Sequence, residues 1–302
     1  MSRNLLRSLR TQTTELFVLA CLAFVLVLFL YRENIPRAHN IILSYLPNRS
    51  PVDIFNTPLS PTDPAVIKYL HEHHLVPPPP KEEPYQIAAT VDGLSSRAMA
   101  YVDILEASTK KGFFIECGAN DGEFNTNTFG LEAKYNWDGL LIESSSSLFK
   151  IMEKKKRKAW LADVCLSGSI EKMEFLMSNK TDWSWRFATG KLKPGKYKEP
   201  REDPVWGYKK EDYNVEGIVD CFPLESVLAA INVTTVDFFS LDVEGHEYEI
   251  LKNIPFDRIH IKVLFVEHYW IPEGGEVLKK FLGEKGFEVV KETSQDYLFK
   301  KK

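Results

Sequence analysis

Cysteine is scarce, four in 302 residues, and no pair is spaced as a redox CxxC or a zinc knuckle. A fold stapled together by disulfides is therefore excluded, as is a structural zinc site of that kind. Positive charge is not in excess either: 38 Lys and Arg face 42 Asp and Glu, for a net charge of −4 and a pI near 6.0. That balance does not neutralise a phosphate backbone, so no nucleic acid partner is expected. Glycine is missing from the first 92 residues, Gly93 being the first of 16. Neither GxGxxG nor HExxH occurs, which removes the nicotinamide fingerprint and the zinc-protease helix. What is present, 44% apolar and 26% charged residues, is ordinary globular usage. It excludes disorder throughout, collagen and a multi-pass membrane bundle, and the length allows two domains at most.

One long apolar run interrupts this average. Leu16–Tyr31, LFVLACLAFVLVLFLY, holds 16 residues without a charge between Glu15 and Arg32. As a helix it spans about 24 Å, short for an average bilayer and suited to a thin one such as that of the early secretory pathway. It has no polar stripe, as a buried soluble helix would, and no small-residue cleavage pattern follows it, as one would a signal peptide. Arg3, Arg7 and Arg10 precede it, so residues 1–15 are expected as a cytosolic tail and the rest of the chain as lumenal. Asn48, Asn179 and Asn232 begin Asn-x-Ser/Thr triplets; Asn179 and Asn232 are the candidate glycosylation sites, because Pro51 follows the first triplet.

Between Arg32 and Pro84 lie 11 of the 17 prolines. Proline without glycine predicts a stiff, extended stem over 32–84. Within it, Asp63-Pro64 before AVIKYLHEHHL reads as an N-cap, a proline in the first turn and a short exposed helix. His71 and His74 share a face there, but the spacing is not that of a zinc site, and no metal is expected.

From residue 85 to 302 strands alternate with amphipathic helices, which predicts an α/β domain with a doubly wound, mostly parallel sheet. Strands are expected at 113–117, 139–143, 159–166, 171–177, 218–224, 236–244 and 262–268, and FEVVKE and DYLFKK form a closing hairpin. Ligands of such sheets sit at the carboxyl ends of the strands. The first strand ends in Glu116-Cys117-Gly118-Ala119-Asn120-Asp121-Gly122, where Gly118 and Gly122 permit a sharp turn and close backbone approach to a ligand. Glu143 ends the second, where a carboxylate accepts two ribose hydroxyls; Asp163 ends the third, within reach of an adenine amino group; Asp242 and Glu244 end the fourth. Capping of the next helix is a competing explanation for Asp242 and Glu244. Together the four strand ends point to a nucleoside-like ligand.

The blocks FFIECGANDGEFNTNTFGLEAKYNWDGLLIE and FFSLDVEGHEYEILKNIPFD, in this order, resemble the FkbM-type S-adenosylmethionine-dependent methyltransferases over roughly 87–302. The short anchor, the Pro-rich stem with DPAVIKYL, KAWLADVCLS and CFPLESVL are similar to a membrane-tethered animal subset, the Star-like proteins. The resemblance implies a seven-stranded Rossmann-like sheet with an antiparallel last strand, and S-adenosylmethionine as cofactor. It implies Glu116, Gly118, Asn120 and Gly122 on the methionine loop, Glu143 at the ribose and Asp163 near the adenine. Asp242 and Glu244 would then stand where donor and acceptor meet. Glu267 and His268 close the fifth strand and are candidates for a general base in O-methyl transfer, unless His268 is simply a half-buried, hydrogen-bonded histidine.

Cys165 and Cys221 stand at neighbouring strands; in a lumen they would form a disulfide worth ~4 kcal/mol, and otherwise they are two buried thiols. The basic run Lys154–Lys158 reads as the solvated end of a helix. The insertion at 179–216, with Trp183, Trp185 and Trp206 among nine Lys or Arg, reads as a lid or a partner-binding surface. Two functions remain open. One is lumenal O-methyl transfer to a glycan, lipid or small molecule by a single-pass type II membrane protein. The other, implied by the Star-like resemblance, is a non-catalytic role with secretory cargo in ER, Golgi and endosomal transport or at the plasma membrane.

Overall fold

Strands covered on both faces must be apolar at nearly every position, and FFIEC, DGLLI, TVDFFSL and HIKVLFVE largely are. In the computed structural model, which describes residues 52–88, 101–107, 110–179, 190–193, 195, 198 and 210–302, they form the centre of an eight-stranded sheet. The elements are, in chain order, α1 (Pro64–His73), β1 (Leu75–Val76), α2 (Val102–Leu105), β2 (Phe113–Cys117), α3 (Phe129–Tyr135), β3 (Asp138–Ile142) and α4 (Ser146–Met152). There follow β4 (Trp160–Ala162), β5 (Cys165–Leu166), β6 (Glu171–Ser178), β7 (Gly190–Leu192), β8 (Tyr213–Phe222), α5 (Leu224–Ala230) and β9 (Thr235–Leu241). The chain closes with α6 (Glu247–Lys252), β10 (His260–Glu267), α7 (Gly275–Glu284), β11 (Phe287–Glu292) and β12 (Asp296–Lys301).

The large sheet runs β1-β4-β3-β2-β9-β10-β12-β11. Its five central strands are parallel, and β12 lies antiparallel to both β10 and β11. Alternate side chains fill two layers. Ile115, Leu140, Phe239 and Leu264 belong to one core, Phe114, Leu141, Phe238 and Phe265 to the other. A second sheet, β5-β8-β6-β7, stands beside it, so the expected strand at 159–166 is two strands in two sheets. The break falls where Asp163 turns its N–H to the His74 carbonyl at 3.1 Å. Cys165 and Cys221 are register partners of β5 and β8 and are joined as a disulfide.

The stem is the main departure from expectation. One compact unit spans Asp53–Lys302, and the segment from Asp53 to Val76 is part of the fold, not an extended spacer. α1 is capped as expected, the Asp63 carboxylate accepting from the Ala65 N–H at 2.8 Å. Its Val66 and Leu70, four apart, are fully buried in the first core layer with Ile54 and Leu75. β1 pairs antiparallel with the outer edge of β4. Asp220 of β8 fastens the segment, accepting from Tyr69 Oη at 2.9 Å and contacting His74 Nε2 at 3.1 Å. Burial alone would push the Asp220 carboxyl up, but hydrogen bonds from His74, Lys172 and Tyr69 hold it down to about 2. Residues 1–51 lie outside the described residues, with the expected tail, membrane helix at 16–31, early stem and Asn48; so do Trp183, Trp185, Trp206 and half of the helix that the amphipathic pattern predicts at 95–108, α2 falling in the described half. Among the described residues no helix is long and apolar enough to cross a membrane.

Leu70→Ala tests this packing. A fully buried leucine leaves a cavity costing about 2–5 kcal/mol, read as a lower midpoint in chemical denaturation; a helix on a free spacer would leave the midpoint unchanged.

Candidate functional site

The order of the parallel strands reverses between β2 and β9, and their carboxyl ends are register partners at Cys117 and Leu241. The chains diverge there and leave a cavity of about 330 Å³, within the range of small-molecule sites. Gly118 lies at the tightest point. Its φ is +82°, and a Cβ on it would stand 1.8 Å from the Asp242 carbonyl oxygen. The Asp242 N–H in turn donates to the Cys117 carbonyl at 3.1 Å.

The loop after β2 is fixed by its own polar groups. The N–H groups of Gly118 and Ala119 both donate to the Ile142 carbonyl. Asn120 sits at φ 54°, and its N–H donates to Glu143 Oε2 at 2.7 Å. Ser145 N–H donates to Glu143 Oε1 at 2.8 Å, so the buried carboxylate faces the cavity already oriented, with lone pairs left on both oxygens. Burial raises Glu143 to about 7, against the opposing pull of those two backbone donors.

Gly118, Asn120, Glu143, Asp242 and Glu244 all line the cavity, so the structure brings together most of the residues read as a site. Four others differ. Glu116 lines the cavity, but its oxygens are engaged by Thr126 Oγ1, the Asn127 N–H and Thr128 Oγ1, which makes it a brace for the next loop. Gly122 is not in the lining; it admits Met152, whose Cγ would be 2.8 Å from a Cβ there, and its carbonyl accepts from Arg157. Asp163 is also outside the lining, drawn by its backbone toward β1 at the sheet edge. His268 is not the cavity-facing base: its ring stacks on Tyr297 at 3.8 Å, while the preceding residue, Glu267, faces the cavity. Successive residues at a strand end point to opposite sides, and only one of the two can reach the site.

Arg157 is a further departure, since the run Lys154–Lys158 hides a wholly buried guanidinium. It donates to Glu132 at 2.8 Å, to the Gly122 carbonyl at 2.7 Å and to the hydroxyls of Thr126 and Thr128. Sequence reasoning also passed over Ser240, Asn127, Trp270 and Asp296 in the cavity wall, together with Lys191 from the described part of the 179–216 insertion. Glu247 was concealed by its place in the first turn of α6, where its carboxylate accepts from the N–H groups of Val243 and Gly245. Burial, Asp242 and Glu247 together push the Glu244 carboxyl well up. Burial, Asp242 and Glu244 do the same to Glu267. Cys117 stays a protonated thiol, raised by burial and by Glu143.

Arg157→Met would strand the Glu132 carboxylate in the interior and cost about 3–5 kcal/mol. Arg157→Lys should recover little of this in a denaturation experiment, because an ammonium lacks the planar fork.

Residues 116–289, more than half of the chain, match the family model of the methyltransferase FkbM domain. No curated protein matches the chain. FkbM-type domains generally use S-adenosylmethionine, and the mixed α/β sheet with its cavity at the reversal of strand order agrees with a methyltransferase fold. The chain belongs to the FkbM methyltransferase domain family.

Proposed function

We propose that the cavity at the ends of β2 and β9 binds S-adenosylmethionine and that the domain transfers its methyl group to an oxygen of a glycan, lipid or small molecule. The observation that carries this reading is Glu143, held by the Asn120 and Ser145 N–H groups with both oxygens able to accept more. That is the chemistry a ribose diol requires. The donor set fits in charge as well. Glu116, Glu143, Asp242, Glu244, Glu267 and Asp296 line the cavity, and Lys191 is the one lysine or arginine among the described lining residues. When bound, the cofactor supplies a methyl group activated on a cationic sulfur. The chain's part is to hold and orient: the 118–120 loop approaches closely because Gly118 has no side chain, and Asp242, Glu143 and their neighbours on the strand ends would set negative charge toward the cation.

The membrane placement belongs to the same proposal. The Cys165–Cys221 disulfide suits an oxidising lumen, and Asn179 and Asn232 are both exposed, as glycan acceptors must be. A type II orientation behind the 16–31 segment accounts for both, and it is shared with the Star-like subset.

Calorimetric titration of the full chain in detergent micelles with S-adenosylhomocysteine is expected to show saturable binding, lost in Glu143→Ala. Because the ionised carboxylate accepts the diol and Glu143 titrates near 7, affinity should fall about tenfold per pH unit below 7 and level off above it. Glu143→Gln should remove that dependence. No binding to a folded, disulfide-bonded chain would overturn catalysis and favour the non-catalytic cargo role. For topology, the protein expressed in cells should gain mobility on deglycosylation, and Asn179→Gln with Asn232→Gln should abolish the shift; an unglycosylated chain would place the domain in the cytosol.

A further inference from the structure

We propose that Asp242, Glu247 and Glu267 form a binding site for a divalent cation of the Mg²⁺, Mn²⁺ or Ca²⁺ class beside the cavity that Asp242 and Glu267 line. Binding stands independently of methyl transfer; only the role of the cation toward an acceptor rests on the reading above.

One carboxylate oxygen from each residue lies within 4.8 Å of the other two. Three oxygens spaced evenly around one ion at about 2.1–2.5 Å stand about 3.6–4.3 Å apart, so a closing movement of at most about 1 Å lets a single cation contact all three. The residues come from three rigid elements, the end of β9, the first turn of α6 and the end of β10. The second observation is at Glu267. The residue is 7% exposed, lines the cavity, and its Oε2 is buried with no hydrogen-bond partner. The Asp242 carboxylate stands within hydrogen-bond reach of Glu267, and two carboxylates at that distance share either a proton or a cation. A buried anionic oxygen in that position costs free energy unless a cation or a shared proton satisfies it.

Glu247 is pre-oriented for the task. Val243 and Gly245 donate their N–H groups to it at 2.8 and 3.0 Å, which fixes the carboxylate while leaving lone pairs for an ion. The basic side chain in the wall, Lys191, acts on Glu244. An all-oxygen set with no thiolate or imidazole selects hard cations over zinc or copper. Three ligands leave positions open toward the cavity, which suit the oxygens of water or of an acceptor bearing adjacent hydroxyls.

Terbium(III) is a direct probe, because Trp270 lines the same cavity and can sensitise its emission. Titrated into the full chain in micelles, Tb³⁺ should give saturable emission that Mn²⁺ or Mg²⁺ displaces. Glu267→Gln should weaken binding by at least about tenfold, and Asp242→Asn serves as the second variant should the first fail to fold. Circular dichroism verifies the fold of each. Absent emission from the folded chain overturns the site, as does emission unchanged in a folded variant, which would mark surface acids instead. The S-adenosylhomocysteine titration, run in chelator, keeps the two proposals apart. Cofactor binding without a terbium site removes only the cation, whereas a terbium site without cofactor binding removes only the methyl-donor reading.

Discussion

A guanidinium sealed from water must find acceptors for its donors or the fold does not form, and the loops around this cavity are arranged by that demand at Arg157. Its hydrogen bonds reach Glu132 on α3, the Gly122 carbonyl and the hydroxyls of Thr126 and Thr128. Those two hydroxyls also donate to Glu116, so the end of β2, the loop after it and the start of α3 form one satisfied polar network. Such networks fix geometry because a half-made one is worse than none. The consequence is felt one layer away. With 122–128 held from behind, the 118–120 segment keeps its close approach to Asp242, and the Asn120 N–H stays on Glu143.

The cavity itself is electrostatically costly. Parallel strands converge their carboxyl ends on one edge, and here those ends carry acids on β2, β3, β9 and β10. Burial pushes the Glu116 carboxyl up, against the nearby charge of Arg157 and the hydrogen bonds from Thr126, Asn127 and Thr128. Glu143 and Glu247 are steadied by backbone donors, while Glu244 and Glu267 are left to repel their neighbours. Stability alone would have replaced such groups. Their concentration where strand order reverses is intelligible when the natural occupant is positively charged.

Much of this was legible. Gly118, Glu143, Asp242 and Glu244 stand at strand ends, and strand ends of a doubly wound sheet are where ligands bind, so position alone singled them out. What escaped had specific physical causes. Glu267 and His268 are adjacent, and which of them faces the site depends on strand parity that the apolar run leaves undetermined. Arg157 sat in a run of lysines whose shared charge concealed one member's burial. Glu247 looked like an ordinary first-turn acid, which it also is. Asp163 lies outside the cavity lining because the expected strand is two, and the break turns its backbone to another partner.

The stem carries a more general point. Proline content argued for an extended spacer, yet Val66 and Leu70 lie four residues apart on α1 and bury completely. A spacing of four on a helix is an apolar face in miniature, and composition averaged over fifty residues obscured it. The physical reason for docking is the sheet edge. Without β1, the outer side of β4 would present unpaired backbone groups, a template for association with other chains. β1 pairs with that edge at Leu75 and Val76, and Asp220, already drawn close by the Cys165–Cys221 link beside it, fastens the helix behind. The family match begins at residue 116 and the compact unit at Asp53. The added segment thus closes an edge that the matched region by itself leaves open.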